Sequence, residues 1–222
     1  MVVNPSHSPP GAFGIEGLRL CPGMVAPDDQ AALVVEVFAA AALAPFLRYA
    51  TAYGGRMSVE MTSFGPLGWT SDSRGRRYRS EHPTTGRPWP AMPAALLDIW
   101  RRATSLATPP DSCLVNLYRG SARMGLHQDR DEVDLRAPVV SISLGDSARF
   151  RLGGLTRRAP TRAMTLHSGD VVVLAGAARL AFHGIDRILP HTSRLIPEGG
   201  RLNLTLRQAG PSIAGTALVG TR

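Results

Sequence analysis

The run Leu126-His127-Gln128-Asp129-Arg130-Asp131 sets an imidazole and a carboxylate two residues apart. On an extended strand, residues two apart project from one face. His127 and Asp129 can therefore offer a ring nitrogen and a carboxylate oxygen to one cation. His183, in Phe182-His183-Gly184 after a β-rich run, is a third ligand of suitable type. Two histidines and one carboxylate that leave coordination positions open are the donor set of non-haem Fe(II) oxygenases. A lone His-x-Asp is frequent by chance and usually inert, so the surrounding sequence has to add weight. Glycine-rich segments flank the pair, and Arg201, Asn203 and Arg207 fall on alternate positions of Arg201-Leu202-Asn203-Leu204-Thr205-Leu206-Arg207. That alternation gathers them on one face of a strand, the kind of face a dianionic co-substrate needs.

These residues need elements to hold them. Asp28 is a candidate N-cap for a helix from Asp29 to about Leu43, ended near Pro45. Met57 to Thr62 alternates as a strand does. Pro93 to Ala107 reads as a second helix with proline near its first turn and Leu96, Leu97 and Trp100 on its apolar face. From there the chain reads as short strands, predicted at 112–118, 124–129, 138–144, 148–152, 163–167, 170–174, 179–183 and 201–207, with Gly or Pro in most gaps. Many strands after two helices predict a mainly β (α+β) fold, a sandwich or barrel with helices packed on one side. His82, His167 and His191 read as structural.

Between Ser63 and Pro93 lies a polar stretch too long for a mere connection. It carries Trp69, Arg76, Arg77, Tyr78 and Trp89. Arginine for phosphate and rings for bases would suit nucleic acid; a solvated loop anchored by its aromatics is the plain alternative.

The 222 residues suggest one domain. The net charge is +8, and all 25 basic residues are Arg. Arginine pairs with phosphate bidentately and stacks on flat rings, so the charge favours a nucleic-acid partner. Two cysteines are too few for a disulfide framework. No signal peptide or apolar run of membrane-spanning length is visible. A cytoplasmic protein that makes no use of a membrane is expected, and the charge suits a monomer.

Taken together, Leu67-Gly68-Trp69-Thr70, Pro88-Trp89-Pro90-Ala91-Met92-Pro93, Asn116 to Tyr118, Leu126 to Pro138, Val140 to Gly145, Gly169 to Val173, His183-Gly184 and Arg201 to Gln208 resemble the AlkB family of Fe(II)- and 2-oxoglutarate-dependent dioxygenases. The resemblance implies a double-stranded β-helix (jelly roll) with an N-terminal helical and nucleotide-recognition-lid extension. It implies one catalytic domain at 24–210 (lid about 45–93, core about 111–209); outside the resemblance, the Pro-, Gly- and Ser-rich residues 1–23 read as a loose arm in which Ile15 to Leu20 can add an edge strand, and 211–222 as a frayed tail. It implies His127, Asp129 and His183 as iron ligands, and Asn116, Tyr118, Arg201, Asn203 and Arg207 around 2-oxoglutarate. Arg201 would hold the distal carboxylate, and Arg207 would balance Asp131 or the inner carboxylate.

The implied reaction is oxidative demethylation of 1-methyladenine or 3-methylcytosine in single- or double-stranded DNA, with RNA as a further substrate class. O2 and 2-oxoglutarate are consumed, and succinate, CO2 and formaldehyde are released. Asp131 would attract the cationic base at the catalytic centre, Trp69 and His183 would sandwich it, and Arg76, Arg77, Tyr78 and Arg157 would meet the nucleic acid. Arg76 stands where the best-known member has a phosphate-contacting tyrosine, so binding should survive with a different grip or salt dependence. The alternatives are a dioxygenase of the same fold acting on a protein or small molecule, and a non-catalytic nucleic-acid-binding module. The charge and the lid aromatics argue against the first, and the complete ligand set against the second.

Overall fold

The computed structural model describes residues 15–51 and 54–210; the expected tail at 211–222 and residues 1–14 of the expected arm lie outside them. Two antiparallel sheets face each other. The larger has six strands in the order β1-β10-β7-β12-β5-β2. These are β1 (Leu18–Cys21), β2 (Glu60–Phe64), β5 (Ser112–Tyr118), β7 (Val139–Gly145), β10 (Val171–Leu174) and β12 (Arg201–Arg207). The smaller has four in the order β6-β11-β8-β9: β6 (Met124–His127), β8 (Ser147–Leu152), β9 (Arg162–Leu166) and β11 (His183–Leu189). A separate hairpin pairs β3 (Gly68–Asp72) with β4 (Gly75–Arg79). The jelly-roll expectation is met. Among the described residues, no helix is long and apolar enough to cross a membrane.

The period-two side-chain pattern divides the core into two layers. Leu202, Leu204 and Leu206 of β12 and Val171 and Val173 of β10 pack against Leu33, Val34 and Val37 of α1 (Pro27–Leu43) and Leu96, Ile99 and Trp100 of α2 (Ala94–Thr104). Val172 and Leu174 point the other way and join Phe150, Leu152 and Ile185 between the sheets. Each fully buried leucine of β12 contributes roughly 1.5–3 kcal/mol over an exposed one. Strand β12 lies between β5 and β7, and all seven of its residues are buried. Its second face, Arg201, Asn203, Thr205 and Arg207, must therefore be held by polar partners rather than by water.

Several boundaries differ from expectation. Helix α1 is capped by Ala26 rather than Asp28, with no side-chain cap. Pro27 starts it instead, since its fixed φ suits the first turn and its missing N–H is no loss there, and Asp28 and Asp29 favour the positive end of the dipole. The strand expected at 57–62 sits at 60–64, and the one expected at 179–183 starts only at His183. Residues 176–178 form a short 3-10 turn, and Arg179 after it is buried among polar partners rather than placed on a strand. The edge strand expected at Ile15 to Leu20 lies at Leu18–Cys21, paired with β10.

The polar stretch from Ser63 to Pro93 contains the β3-β4 hairpin. Its aromatics are packed beneath it: the Trp89 indole donates to Arg79 O at 2.9 Å, and His82 meets Trp89 edge-on. A Cβ at Gly68 would sit 2.2 Å from the Trp89 ring, so only glycine lets β3 run over it.

Candidate active site

Strands β6 and β11 bring the two histidines together, with His127 and His183 as direct partners in the antiparallel register. Their ring centroids are 4.5 Å apart. Asp129 lies just beyond the end of β6, so a turn after the strand aims it, not the strand itself. His127 Nε2 is 3.6 Å from Asp129 Oδ1, and His183 Nε2 is 3.9 Å from Asp129 Oδ2. One ligand atom from each residue falls within 4.8 Å of the others, the spacing a single ion requires. Each Nδ1–H donates to a main-chain carbonyl, Gly125 O for His127 and Ala181 O for His183, both at 3.0 Å. That fixes the tautomer and turns each Nε2 lone pair to the centre.

The electrostatics suit a metal. Burial and the neighbouring His127 push the His183 pKa down to about 4, so the ring is a neutral donor. Burial alone would raise the Asp129 carboxyl, but Arg207 beside it, with His183 and His127, holds it well below the usual carboxylate range. Arg207 Nη2 donates to Asp129 Oδ2 at 2.8 Å.

Arg207 also lies 3.2 Å from Glu132 Oε1, and the expectation that it balances Asp131 is corrected: its partners are Asp129 and Glu132. Glu132 accepts from Tyr78 Oη at 2.6 Å and Arg179 Nη2 at 3.0 Å. Arg179 further donates to the carbonyls of Asp129 (2.6 Å) and Ala137 (2.7 Å), fastening the segment after the metal ligands. Neither Glu132 nor Arg179 was singled out from the sequence. Arg179 is the lone arginine in the apolar run from Val171 to Ile185, and a charge so placed, once buried, needs a partner.

A cavity of about 410 Å³ opens on this centre. Its far wall holds Arg201, only 1 % exposed, over the Tyr118 ring at 5.5 Å. One guanidinium nitrogen donates to Ser143 Oγ at 2.9 Å, while among the described residues Nε and Nη1 have no partner, nor has the buried Asn116 Oδ1. Burial pushes the Arg201 pKa down, a sign of an uncompensated charge. Buried donors without partners are rare and costly. A ligand carboxylate is the group that would satisfy a guanidinium bidentately, so the residues fit a dicarboxylate chelator. The Tyr118 hydroxyl makes one long hydrogen bond among the described residues, to the Met124 sulfur at 4.0 Å, a weak acceptor that a ligand oxygen would replace. Asn203 lines the same wall, but its amide already donates to Ser141 Oγ and Ile142 O and accepts from Thr205.

At the mouth, Trp69 donates its indole N–H to Asp131 Oδ2 at 2.8 Å and meets Tyr49 edge-on. Arg76 Nη2 is 3.6 Å from Asp131 Oδ1. Trp69, Arg76, Asp131 and His183 all line the cavity. Arg77 and Tyr78 are not among its lining residues: Arg77 pairs with Asp72 at the hairpin turn, and Tyr78 is tied to Glu132. Arg157, exposed, donates to Leu126 O at 3.0 Å, next to His127.

Residues 17–207 match the model of the 2OG-Fe(II) oxygenase superfamily. The chain is 63% identical over 195 residues to an alpha-ketoglutarate-dependent dioxygenase AlkB homolog of Caulobacter vibrioides, covering 88% of this chain and 89% of that one. It is 44% identical over 182 residues to the alpha-ketoglutarate-dependent dioxygenase AlkB of Escherichia coli, covering 80% and 84%. To the human nucleic acid dioxygenase ALKBH1 it is 33% identical over 171 residues, covering 76% and 42%. The solved structure of OsALKBH1 superposes with a TM-score of 0.69 at 32% identity, over 86% of this chain and 98% of that one.

Proposed function

Because the chain belongs to the 2OG-Fe(II) oxygenase superfamily, and within it to the AlkB dioxygenases, we propose that it repairs DNA, and accepts RNA, by oxidative demethylation of N-alkylated bases. It is an Fe(II)- and 2-oxoglutarate-dependent dioxygenase. 1-Methyladenine and 3-methylcytosine are the proposed substrates. The relatives named as nucleic acid dioxygenases support the substrate class. We assign the activity to one domain, residues 24–210 with the lid at about 45–93, acting as a cytoplasmic monomer.

His127, Asp129 and His183 hold Fe(II). With O2 and 2-oxoglutarate, the metal supplies hydroxylation of the N-methyl carbon coupled to formation of succinate and CO2, and the hydroxymethyl product releases formaldehyde. The protein's part is positioning. Arg201 grips the distal carboxylate of 2-oxoglutarate, with Tyr118 and Asn116 beside it. Arg207 keeps Asp129 anionic. The damaged base leaves the stack to enter the cavity, lies on Trp69 with His183 opposite, and sets its positive charge against Asp131. Arg76 and Arg157 border the strand that carries it. Arg77 belongs to the outer turn of the lid, and Tyr78 and Asn203 act by holding neighbours.

The observation that carries the nucleic-acid reading is the carboxylate of Asp131, fixed by the Trp69 indole at the mouth of the cavity that holds the metal ligands. A flat cation fits an aromatic face beside an anion. Formaldehyde release from single-stranded DNA carrying 1-methyladenine tests it. Release that requires both Fe(II) and 2-oxoglutarate is expected; none from methylated DNA, with turnover of 2-oxoglutarate on other substrates, would overturn it.

A further inference from the structure

Asp131 is not a free anion waiting at the cavity mouth. Its Oδ2 is taken by the Trp69 N–H at 2.8 Å, and its Oδ1 faces the Arg76 guanidinium at 3.6 Å. The two partners come from opposite strands of one hairpin, Trp69 from β3 and Arg76 from β4. Arg76 is half-exposed, with 48 % of its side chain accessible against 20 % for Asp131. Among the described residues, Arg76 is the one ion-pair partner of Asp131. A positively charged base that approaches this carboxylate therefore meets a cation already in place, and like charges a few ångström apart repel.

We propose that Arg76 is a resident counter-cation of Asp131, which a cationic base displaces and which then re-pairs with a phosphate of the strand carrying that base. This rests on the nucleic-acid reading above and goes further: it makes Arg76 a determinant of charge specificity. A cationic base restores neutrality at Asp131 as Arg76 leaves. A neutral base of similar shape does not, and Arg76 stays. The displaced side chain is long, half in solvent and on the rim of the cavity. A guanidinium is suited to bind phosphate next. Where no phosphate is present, the displacement is uncompensated.

The two halves of the exchange give opposite signs, so they can be separated. Binding is measured by titration calorimetry to the enzyme loaded with Fe(II) and 2-oxoglutarate under anaerobic conditions. The ligands are 1-methyladenosine, the neutral 1-methylguanosine, and a trinucleotide with central 1-methyladenine. Arg76→Gln should bind 1-methyladenosine roughly two- to fivefold more tightly, as loss of an exposed competing ion pair allows. It should bind the trinucleotide roughly threefold or more weakly, through the missing phosphate contact. 1-Methylguanosine should not gain. A nucleoside affinity that is unchanged, lowered or immeasurable in Arg76→Gln overturns the exchange, as does an equal gain for the neutral nucleoside. A wild-type enzyme that ignores methylated DNA altogether would instead sink the reading of function on which it stands.

Discussion

The two ends of the cavity are built differently. The end proposed for 2-oxoglutarate is written into β12, flanked on both sides by other strands and backed by helices, with every residue buried. The end proposed for nucleic acid is a two-stranded hairpin outside both sheets, joined to the catalytic segment, among the described residues, by three polar contacts: Trp69 and Arg76 to Asp131, and Tyr78 to Glu132. A co-substrate that never changes is met by a site as rigid as the core. A polymer that must be admitted and let go is met by a hairpin that packs on its own aromatics and reaches the catalytic segment through side chains alone.

The sharpest way to break this contrast is at the metal. His127→Ala should abolish formaldehyde release with little change in melting temperature, because that side chain is part-exposed. Asp129→Ala should abolish release and also cost about 1–3 kcal/mol in a denaturation curve, since Arg207 loses one of its two buried carboxylate partners. Normal turnover in either variant refutes the ligand assignment. Next comes Arg201→Ala, which should weaken 2-oxoglutarate binding by about 2–5 kcal/mol, the cost of stranding one member of a buried charge pair. Stability should not fall in parallel, because two of its donors have no partner before the ligand arrives; an unchanged half-saturation contradicts the role.

Acid should reach the core end too. The unfolded chain protonates His183 near pH 6.5, whereas the folded metal-free protein resists until about pH 4. The unfolded state thus binds more protons in that window, and stability present at pH 7 is lost as pH falls through it, by up to about 3 kcal/mol. Melting of the metal-free protein at pH 7 and pH 5 checks this, and His183→Asn should flatten the slope. The smallest effects belong to the hairpin. Tyr78→Phe removes one hydrogen bond to a buried carboxylate and should cost about 1.5–3 kcal/mol or less, chiefly as a looser lid seen in faster proteolysis. Arg77→Ala should change stability by about 0–1 kcal/mol and activity hardly at all; a large loss would show that Arg77 meets the substrate.

What the sequence revealed follows the same division. The residues of β12 were legible because their types alternate at strand spacing, which gathers them on one face; His127 and Asp129 were paired on the same reasoning, yet a turn after β6 aims Asp129, and His183 came from its residue type and the resemblance. Glu132 and Arg179 were not legible, since their roles depend on contacts across the sheets that no local pattern encodes. The hairpin hid for another reason: Gly68–Asp72 and Gly75–Arg79 lack alternating apolar residues, because neither face of that ribbon packs wholly into a core. Arg179 misled in the same way, read as the start of a strand where the chain turns to bury a guanidinium.

Among the described residues the short strand β6 has one neighbour, β11, and their pairing is irregular between His183 and Ile185. A ribbon of four residues at a sheet margin has little of its own to prevent fraying. An ion gripped by residue 127 on that margin and residue 183 on its neighbour would act as a rivet across the seam. Loss of the ion would then loosen the stretch of cavity wall that β6 supplies, so that starvation for metal and slackening of the margin become a single event.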